Sequence, residues 1–151
     1  MTSDGSPPVD IDFLLGEWEG EGEGLWGGFS FKDRLSFAHR GKAWIEYHQL
    51  TRTLEGATSH AESGYLSLGE DGTVSMTIAA PTGITEVLTG SLTTEGIVLG
   101  STEIGQAPTA LNVTATARRL ILRDETLLVE LDIAMNDEAL TGHTRSILKR
   151  A

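Results

Sequence analysis

Apolar and polar residues alternate along most of this chain, and a period of two is the pattern of a strand with one buried face. The alternation is cleanest at residues 73–80, where Val74, Met76 and Ile78 are separated by Ser and Thr. Clusters of Gly, Pro, Asn and Asp interrupt such runs every ~8–12 residues, a spacing typical of a β-sandwich or barrel. The predicted strands cover residues 16–24, 29–37, 43–53, 60–68, 73–80, 84–92, 96–103, 112–122, 126–135 and 141–150.

Short connections between consecutive strands predict an all-β fold, an antiparallel up-and-down barrel of about ten strands that has no exposed edge. Residues 8–15 come before the first strand and predict a short helical turn, with Asp10 or Asp12 as its cap and an apolar side at 13–15. This turn is placed to close one end of the barrel. A barrel of this size has an interior wide enough for one small ligand.

The first predicted strand has an unusual composition. Glutamate occupies every odd position from 17 to 23, whereas Trp18, Gly20 and Gly22 occupy the even positions between them. We therefore expect the four glutamates to face solvent and Trp18 to be buried. Glycine inside a strand marks a bend or a place where another backbone or a ligand comes close, so Gly20 and Gly22 indicate such an approach.

Composition adds constraints on domain number, compartment and partners. A chain of 151 residues that is 39% hydrophobic predicts one barrel domain at residues 9–151, preceded by a flexible tail at residues 1–8. No apolar run reaches the ~20 residues that span a bilayer. A net charge of −11 disfavours nucleic-acid binding because it repels phosphates. The absence of cysteine fits a reducing compartment, so we expect a cytoplasmic protein. We also expect a monomer or weak homodimer without a membrane partner.

Four histidines are the first candidates for chemistry: His39, His48, His60 and His143. They lack the HxH or HxxxH spacing of a metal site, and thiolate ligands are absent, so a zinc site has little support. His60 and Glu62 share one face of their strand. Both a buried histidine–carboxylate pair and a surface pair are consistent with this spacing.

The orientation of His143 depends on the local phase of the last strand. Under strict alternation His143 shares a face with Arg145, which favours a solvent face or a pocket mouth. A β-bulge near Gly142 instead lets His143 point inward while Arg145 points outward. The residues alone leave both phases open.

Five blocks of the chain resemble conserved blocks of the nitrobindin family, small haem-binding barrels similar in shape to lipocalins and fatty-acid-binding proteins. One such block alone is weak, but their order and spacing cover nearly the whole domain. The blocks are Gly16-Glu-Trp-Glu-Gly-Glu-Gly22, Phe37-Ala-His-Arg-Gly-Lys42, His60-Ala-Glu-Ser-Gly-Tyr-Leu66, Pro81-Thr-Gly-Ile-Thr-Glu-Val87 and Leu140-Thr-Gly-His143.

This resemblance implies a function and a set of site residues. It implies a ferric haem b, one per chain, with His143 as the axial and catalytic metal ligand. It also implies that His60 and the Gly20 and Gly22 side of the first strand line the haem cavity. The implied activity is that of an enzyme, a peroxynitrite isomerase that converts peroxynitrite to nitrate and binds nitric oxide reversibly. An imidazole on one side of such an iron leaves the other coordination position open for a small molecule.

Two other functions remain open at the level of sequence. The same barrel without haem is a module that binds or carries a hydrophobic small molecule or lipid. A barrel without any ligand is an interaction domain. A Soret absorption band, in purified protein or after addition of haemin, separates the first hypothesis from these two.

Overall fold

Ten antiparallel strands form a closed barrel in which each strand pairs with its neighbours in sequence and β1 pairs with β10. The structure is a computed structural model that describes residues 10–40 and 43–151. The predicted tail at residues 1–8 and the last two residues of the second block of the resemblance, Gly41 and Lys42, lie outside this part. The strands are β1 (Gly16–Gly24), β2 (Ser30–His39), β3 (Ile45–Arg52), β4 (Thr58–Leu68), β5 (Thr73–Ala79), β6 (Ile84–Leu92), β7 (Gly96–Gln106), β8 (Val113–Arg123), β9 (Thr126–Met135) and β10 (Thr141–Arg150).

The prediction of a ten-stranded up-and-down barrel is therefore confirmed, and strands β1, β6, β9 and β10 have the predicted bounds. The other strands differ from prediction at one or both ends, by one to three residues. Among the described residues, the one helical element is a 3₁₀ turn at Ile11–Leu14. No helix in this part of the chain is long and apolar enough to cross a membrane.

The 3₁₀ turn closes one end of the barrel, as the sequence predicts. The Asp10 carboxylate caps the turn by accepting a hydrogen bond from the Asp12 amide at 2.8 Å. The buried Trp18 ring fixes the turn to β1, because its Nε1–H donates to the Leu14 carbonyl at 2.8 Å. Arg150 at the end of β10 donates to the Phe13 carbonyl at 2.9 Å, so both termini of the domain are tied at this closed end.

The core lies between this turn and the middle of the barrel. Its members are buried apolar side chains from every strand, and they include Leu14, Trp18, Leu35, Phe37, Ile45, Leu66, Val74, Met76, Leu88, Ile97, Leu99, Leu120, Leu127 and Leu148. At the opposite end, the loops β1–β2, β3–β4, β5–β6, β7–β8 and β9–β10 surround an entrance to the lumen. The barrel thus has a closed apolar end and an open end.

Strand β1 has the predicted phase. The glutamates at 17, 19, 21 and 23 are exposed, and Trp18 is fully buried. Arg34 on β2 lies opposite Glu19 and donates to its carboxylate at 2.8 Å. The four glutamates therefore form an acidic outer face of β1, and Arg34 on β2 pairs with part of it.

The glycines of β1 accommodate close neighbours. A Cβ atom at Gly20 would collide with the backbone carbonyl of Ile147 on β10, so this position lies against the seam that closes the barrel. At Gly22 a Cβ would collide with the Phe31 ring, and with the Ser146 hydroxyl at 2.5 Å. The predicted close approach is therefore present at both glycines: the backbone of β10 approaches Gly20, and an aromatic ring approaches Gly22.

We expect Gly20→Ala to lower the free energy of unfolding by about 1–3 kcal/mol, because the new methyl group overpacks a position bounded by backbone. Gly100→Ala on β7 is the matched control, since a Cβ at Gly100 has no neighbour within 4 Å. The control substitution should leave stability within about 0.5 kcal/mol or raise it. Urea unfolding followed by tryptophan fluorescence measures both, and equal effects of the two substitutions would contradict the role given to the β1–β10 seam.

Candidate functional site

His143 lies in a β-bulge at the open end of the barrel. The pairing of β10 with β9 shifts by one residue, because Gly142 pairs with Asp132 and Thr144 with Leu131. His143 is the additional residue between them, and the shift lets it share the inner side of the strand with Thr144. The outer side is occupied by Arg145, which donates to Glu130 at 2.9 Å. The structure therefore has the bulged phase, and Arg145 points away from the lumen.

The surroundings of the His143 ring inside the barrel affect its pKa. The ring is half-buried, and burial, with a smaller electrostatic contribution from His60, lowers its pKa below the usual value. Strands β4 and β10 are separated by three other strands on one side of the barrel, so this influence acts across the interior. A lowered pKa keeps the imidazole neutral at physiological pH, the form in which histidine binds a metal ion.

Among the described residues, His143 is the histidine whose ring forms no hydrogen bond or ion pair. The rings of the other three have acidic or hydroxyl partners. His39 contacts Asp12 at 2.9 Å, His48 contacts Ser63 at 3.0 Å, and His60 contacts Glu62 at 3.0 Å. An uncommitted neutral imidazole at a lumen entrance is thus available to a ligand.

His60 faces the lumen from the start of β4. It pairs with the buried Thr51, and its Nε2 lies 3.0 Å from Glu62 Oε2. Burial alone raises the pKa of Glu62, but the Arg118 guanidinium and hydrogen bonds from His60, Arg118 and Tyr47 hold that pKa well below its usual range. Because an ionised carboxylate only accepts, this bond places a proton on Nε2 of His60. The pair therefore faces the lumen, with the Glu62 carboxylate buried and the His60 ring partly exposed.

Beneath the two histidines lies a layer of buried charge that sequence reasoning missed. Arg118 on β8 donates to Glu62 Oε1 at 2.6 Å and to Glu86 Oε2 at 2.5 Å, so one guanidinium joins two strands across the lumen. Tyr47 adds a bond to Glu62 at 2.7 Å, and Thr116 adds one to Glu86 at 2.6 Å. We call Arg118, Glu62, Glu86, Tyr47 and Thr116 the ionic layer.

A further buried carboxylate, Asp33, lies on the β1–β3 side of the barrel. It accepts hydrogen bonds from Thr51, Gln49 and Ser146, each at 2.9 Å. Burial raises the pKa of Asp33 despite these bonds. The polar residue Ser146, three positions after His143, therefore faces inward because it has a carboxylate to bind. With these bonds, every buried side-chain N and O atom in the described part of the chain has a partner.

The lumen at this end is open to solvent. Val129, Leu131 and Ile133 alternate on the inner face of β9, yet each is only partly buried, unlike Leu127 near the closed end. Clefts also lie at the open end. One of 240 Å³ includes His60 and Pro81, and one of 330 Å³ lies where β7 and β8 separate beyond Gly100.

The loops at the open end carry exposed apolar side chains. They are Leu25, Trp26, Phe29, Leu54, Leu111 and Leu140. We call this set the apolar rim. An accumulation of exposed apolar side chains around one opening is typical of a site that takes up an apolar ligand.

The structure thus brings together His143 and His60, which the sequence named, at one opening. The predicted site residues Gly20 and Gly22 lie on the β1 wall, with the Phe31 ring between Gly22 and the lumen. In the part of the chain that the structure describes, no three His, Cys, Asp or Glu side chains meet as a metal site. The donor set of the open end therefore suits a metal that brings its own equatorial ligands and needs one imidazole.

A comparison with protein families matches residues 9–150 to the THAP4-like, haem-binding β-barrel domain. A peroxynitrite isomerase of Nocardia farcinica is 38% identical over 145 residues, which are 91% of this chain and 86% of the relative. Peroxynitrite isomerase 2 of Mycobacterium marinum is 35% identical over 99% of both chains. The crystal structure of Rv2717c from M. tuberculosis superimposes with a TM-score of 0.82 at 34% identity, covering 91% of this chain and 92% of that one.

Proposed function

The chain belongs to the THAP4-like haem-binding β-barrel family, and from this premise we propose that it binds one ferric haem b through His143 and isomerises peroxynitrite to nitrate. The observation that carries the assignment of His143 is its ring, which is neutral, half-buried and without a hydrogen-bond partner in the described part of the chain. The other three histidines have their rings held by neighbouring side chains. His143 is therefore the imidazole that can bind iron without first breaking a contact.

The residues of the open end fit a haem group. The porphyrin is a flat apolar ring with carboxylate edges, and the apolar rim supplies the surface that it needs. We propose that His60 and the wall formed by Gly20 and Gly22, together with the Phe31 ring, line the cavity. When bound, the haem supplies an iron centre with an open coordination position for a small anion.

The chain's own residues hold and shield this centre. His143 contributes the one protein bond to the iron, and its bulge fixes the position from which it does so. Glu62 holds His60 by its Nε2–H, so the His60 ring keeps one orientation in the lumen. The ionic layer and the closed core below it exclude water from the deeper lumen. Peroxynitrite and nitrate have the same atoms and charge, so the reaction needs no second substrate.

Partners and compartment follow from the same chemistry and charge. The expected ligands are peroxynitrite and nitric oxide, and nucleic acid is not an expected partner of a chain with a net charge of −11. We propose a cytoplasmic protein that acts as a monomer or weak homodimer.

The proposal predicts a haem-dependent activity. Purified protein titrated with haemin should develop a protein-bound Soret band with a stoichiometry of about one per chain. The loaded protein should then speed the decay of peroxynitrite and raise the yield of nitrate over nitrite in stopped-flow and anion-chromatography measurements. Haemin alone and haem-free protein are the controls. Failure to bind haemin would reject the proposal in favour of the haem-free carrier, which mass spectrometry of the native protein tests through a retained apolar ligand.

A further inference from the structure

The backbone of the His143 bulge is held by the loop between β1 and β2. The Leu25 amide donates to the His143 carbonyl at 2.9 Å, which continues the β1–β10 ladder one step beyond the Gly24–Thr144 pair. The Trp26 indole Nε1–H donates to the Gly142 carbonyl at 3.0 Å. Two donors of one loop thus hold the two backbone carbonyls on either side of the His143 Cα atom.

The same loop packs over the bulge. A Cβ atom at Gly142 would lie 2.8 Å from Cδ1 of Leu25, so the Leu25 side chain occupies the space that a larger residue at 142 would need. A bulge is a deviation from the regular ladder, and its residues gain no orientation from normal pairing. Its geometry must then come from contacts outside the β9–β10 pair, and these are the contacts that the loop provides.

The Trp26 side chain makes one hydrogen bond in the described part of the chain, the bond to the Gly142 carbonyl. The residue is 62% exposed, so burial contributes little to holding it in place. The indole has a single N–H donor, and the ring is therefore fixed at the Gly142 carbonyl by one hydrogen bond. This bond lies one residue from the imidazole that is assigned to the iron.

We propose that Trp26 is a positioning residue for His143: its indole N–H, with the Leu25 amide, holds the bulge in the form that directs the imidazole into the lumen. This inference rests on the proposed function for its consequence in haem binding, but the clamp itself is a property of the haem-free protein. Trp26 acts through His143 and is not assigned a contact with the iron or the substrate.

Trp26→Phe keeps an aromatic ring and removes the N–H donor, and Trp44→Phe is the matched control. Trp44 is also an exposed tryptophan but lies beside β3 at the closed end, and its indole has no hydrogen bond in the described part of the chain. In haem-free protein, amide hydrogen exchange at Leu25 should become faster in Trp26→Phe and stay unchanged in Trp44→Phe. Unchanged exchange at Leu25 would overturn the clamp, whatever the outcome of haem binding.

In haem-loaded protein, the loss of one such hydrogen bond should weaken haem binding about fivefold, measured as transfer of haem to apomyoglobin. Because the imidazole is less well oriented, the iron–histidine stretching band in the resonance Raman spectrum of the reduced protein should shift and broaden. Thermal unfolding of the haem-free variant should stay close to wild type, which separates positioning from a loss of fold. An unshifted band with wild-type haem transfer would reject the positioning role even if the exchange result holds.

Discussion

We expect His143→Ala to weaken haem binding strongly while the barrel stays folded. The substitution deletes the one bond proposed between protein and iron, and leaves only the apolar rim to hold the porphyrin. Loss of a residue that merely supports a metal ligand weakens metal binding by roughly 10–100-fold, so loss of the ligand itself should weaken it by more than about 100-fold. The Soret band should shift toward that of loosely bound haemin, and peroxynitrite conversion should fall in proportion to haem occupancy.

Two matched substitutions separate this effect from a general loss of histidine. His48→Ala removes a histidine on the outer face of β3 and should leave haem binding unchanged. His60→Ala removes a cavity-lining ring and one bond to Glu62, so its effect on occupancy should be much smaller than that of His143→Ala. The haem-free His143→Ala variant should show an unfolding transition near that of wild type, since the His143 ring forms no hydrogen bond in the described structure. Wild-type haem affinity in His143→Ala would show that another group binds the iron.

The sequence predicts the barrel well because its determinants are local. Alternation over seven to eleven residues and the turn residues between strands define each hairpin, and consecutive hairpins leave few topologies open. The strands with the clearest boundaries, such as β9 between Glu125 and Asn136, have the predicted ends. The fold therefore follows from the pattern without reference to any contact between distant residues.

The site is only partly predictable because its determinants are contacts between distant strands. The bulge at His143 depends on donors from the β1–β2 loop, which are more than a hundred residues away in sequence. Alternation alone leaves the phase of His143 open, and resemblance names the residue without its support. The sequence does contain a signal for the ionic layer, namely a charged residue on the apolar face of a strand. Glu62 shares a face with Leu66, Glu86 with Leu88, and Arg118 with Leu120. Three such residues on three strands indicate a buried partnership rather than three surface charges.

Arg118→Met should lower the free energy of unfolding by about 3–5 kcal/mol at pH 7, because it leaves Glu62 and Glu86 buried without their cation. Such a change is a large fraction of the stability of a domain of this size. Arg119→Met is the matched control on the same strand. Arg119 points outward, is partly exposed and pairs with Glu130 and Asp132, so its removal should cost no more than about 1 kcal/mol.

The pH dependence identifies the cause of that loss. In the wild type the pKa of Glu62 is lowered, so its contribution to stability is present above the unfolded-state pKa near 4.5 and is lost as the pH falls below it. Without Arg118, burial dominates and raises the pKa of Glu62, so the folded variant takes up a proton before the unfolded chain does. Acidification from pH 7 to 5 should therefore narrow the gap between Arg118→Met and wild type in urea unfolding. A gap that stays constant over this range would show that Arg118 stabilises the barrel by packing rather than by neutralising the buried carboxylates.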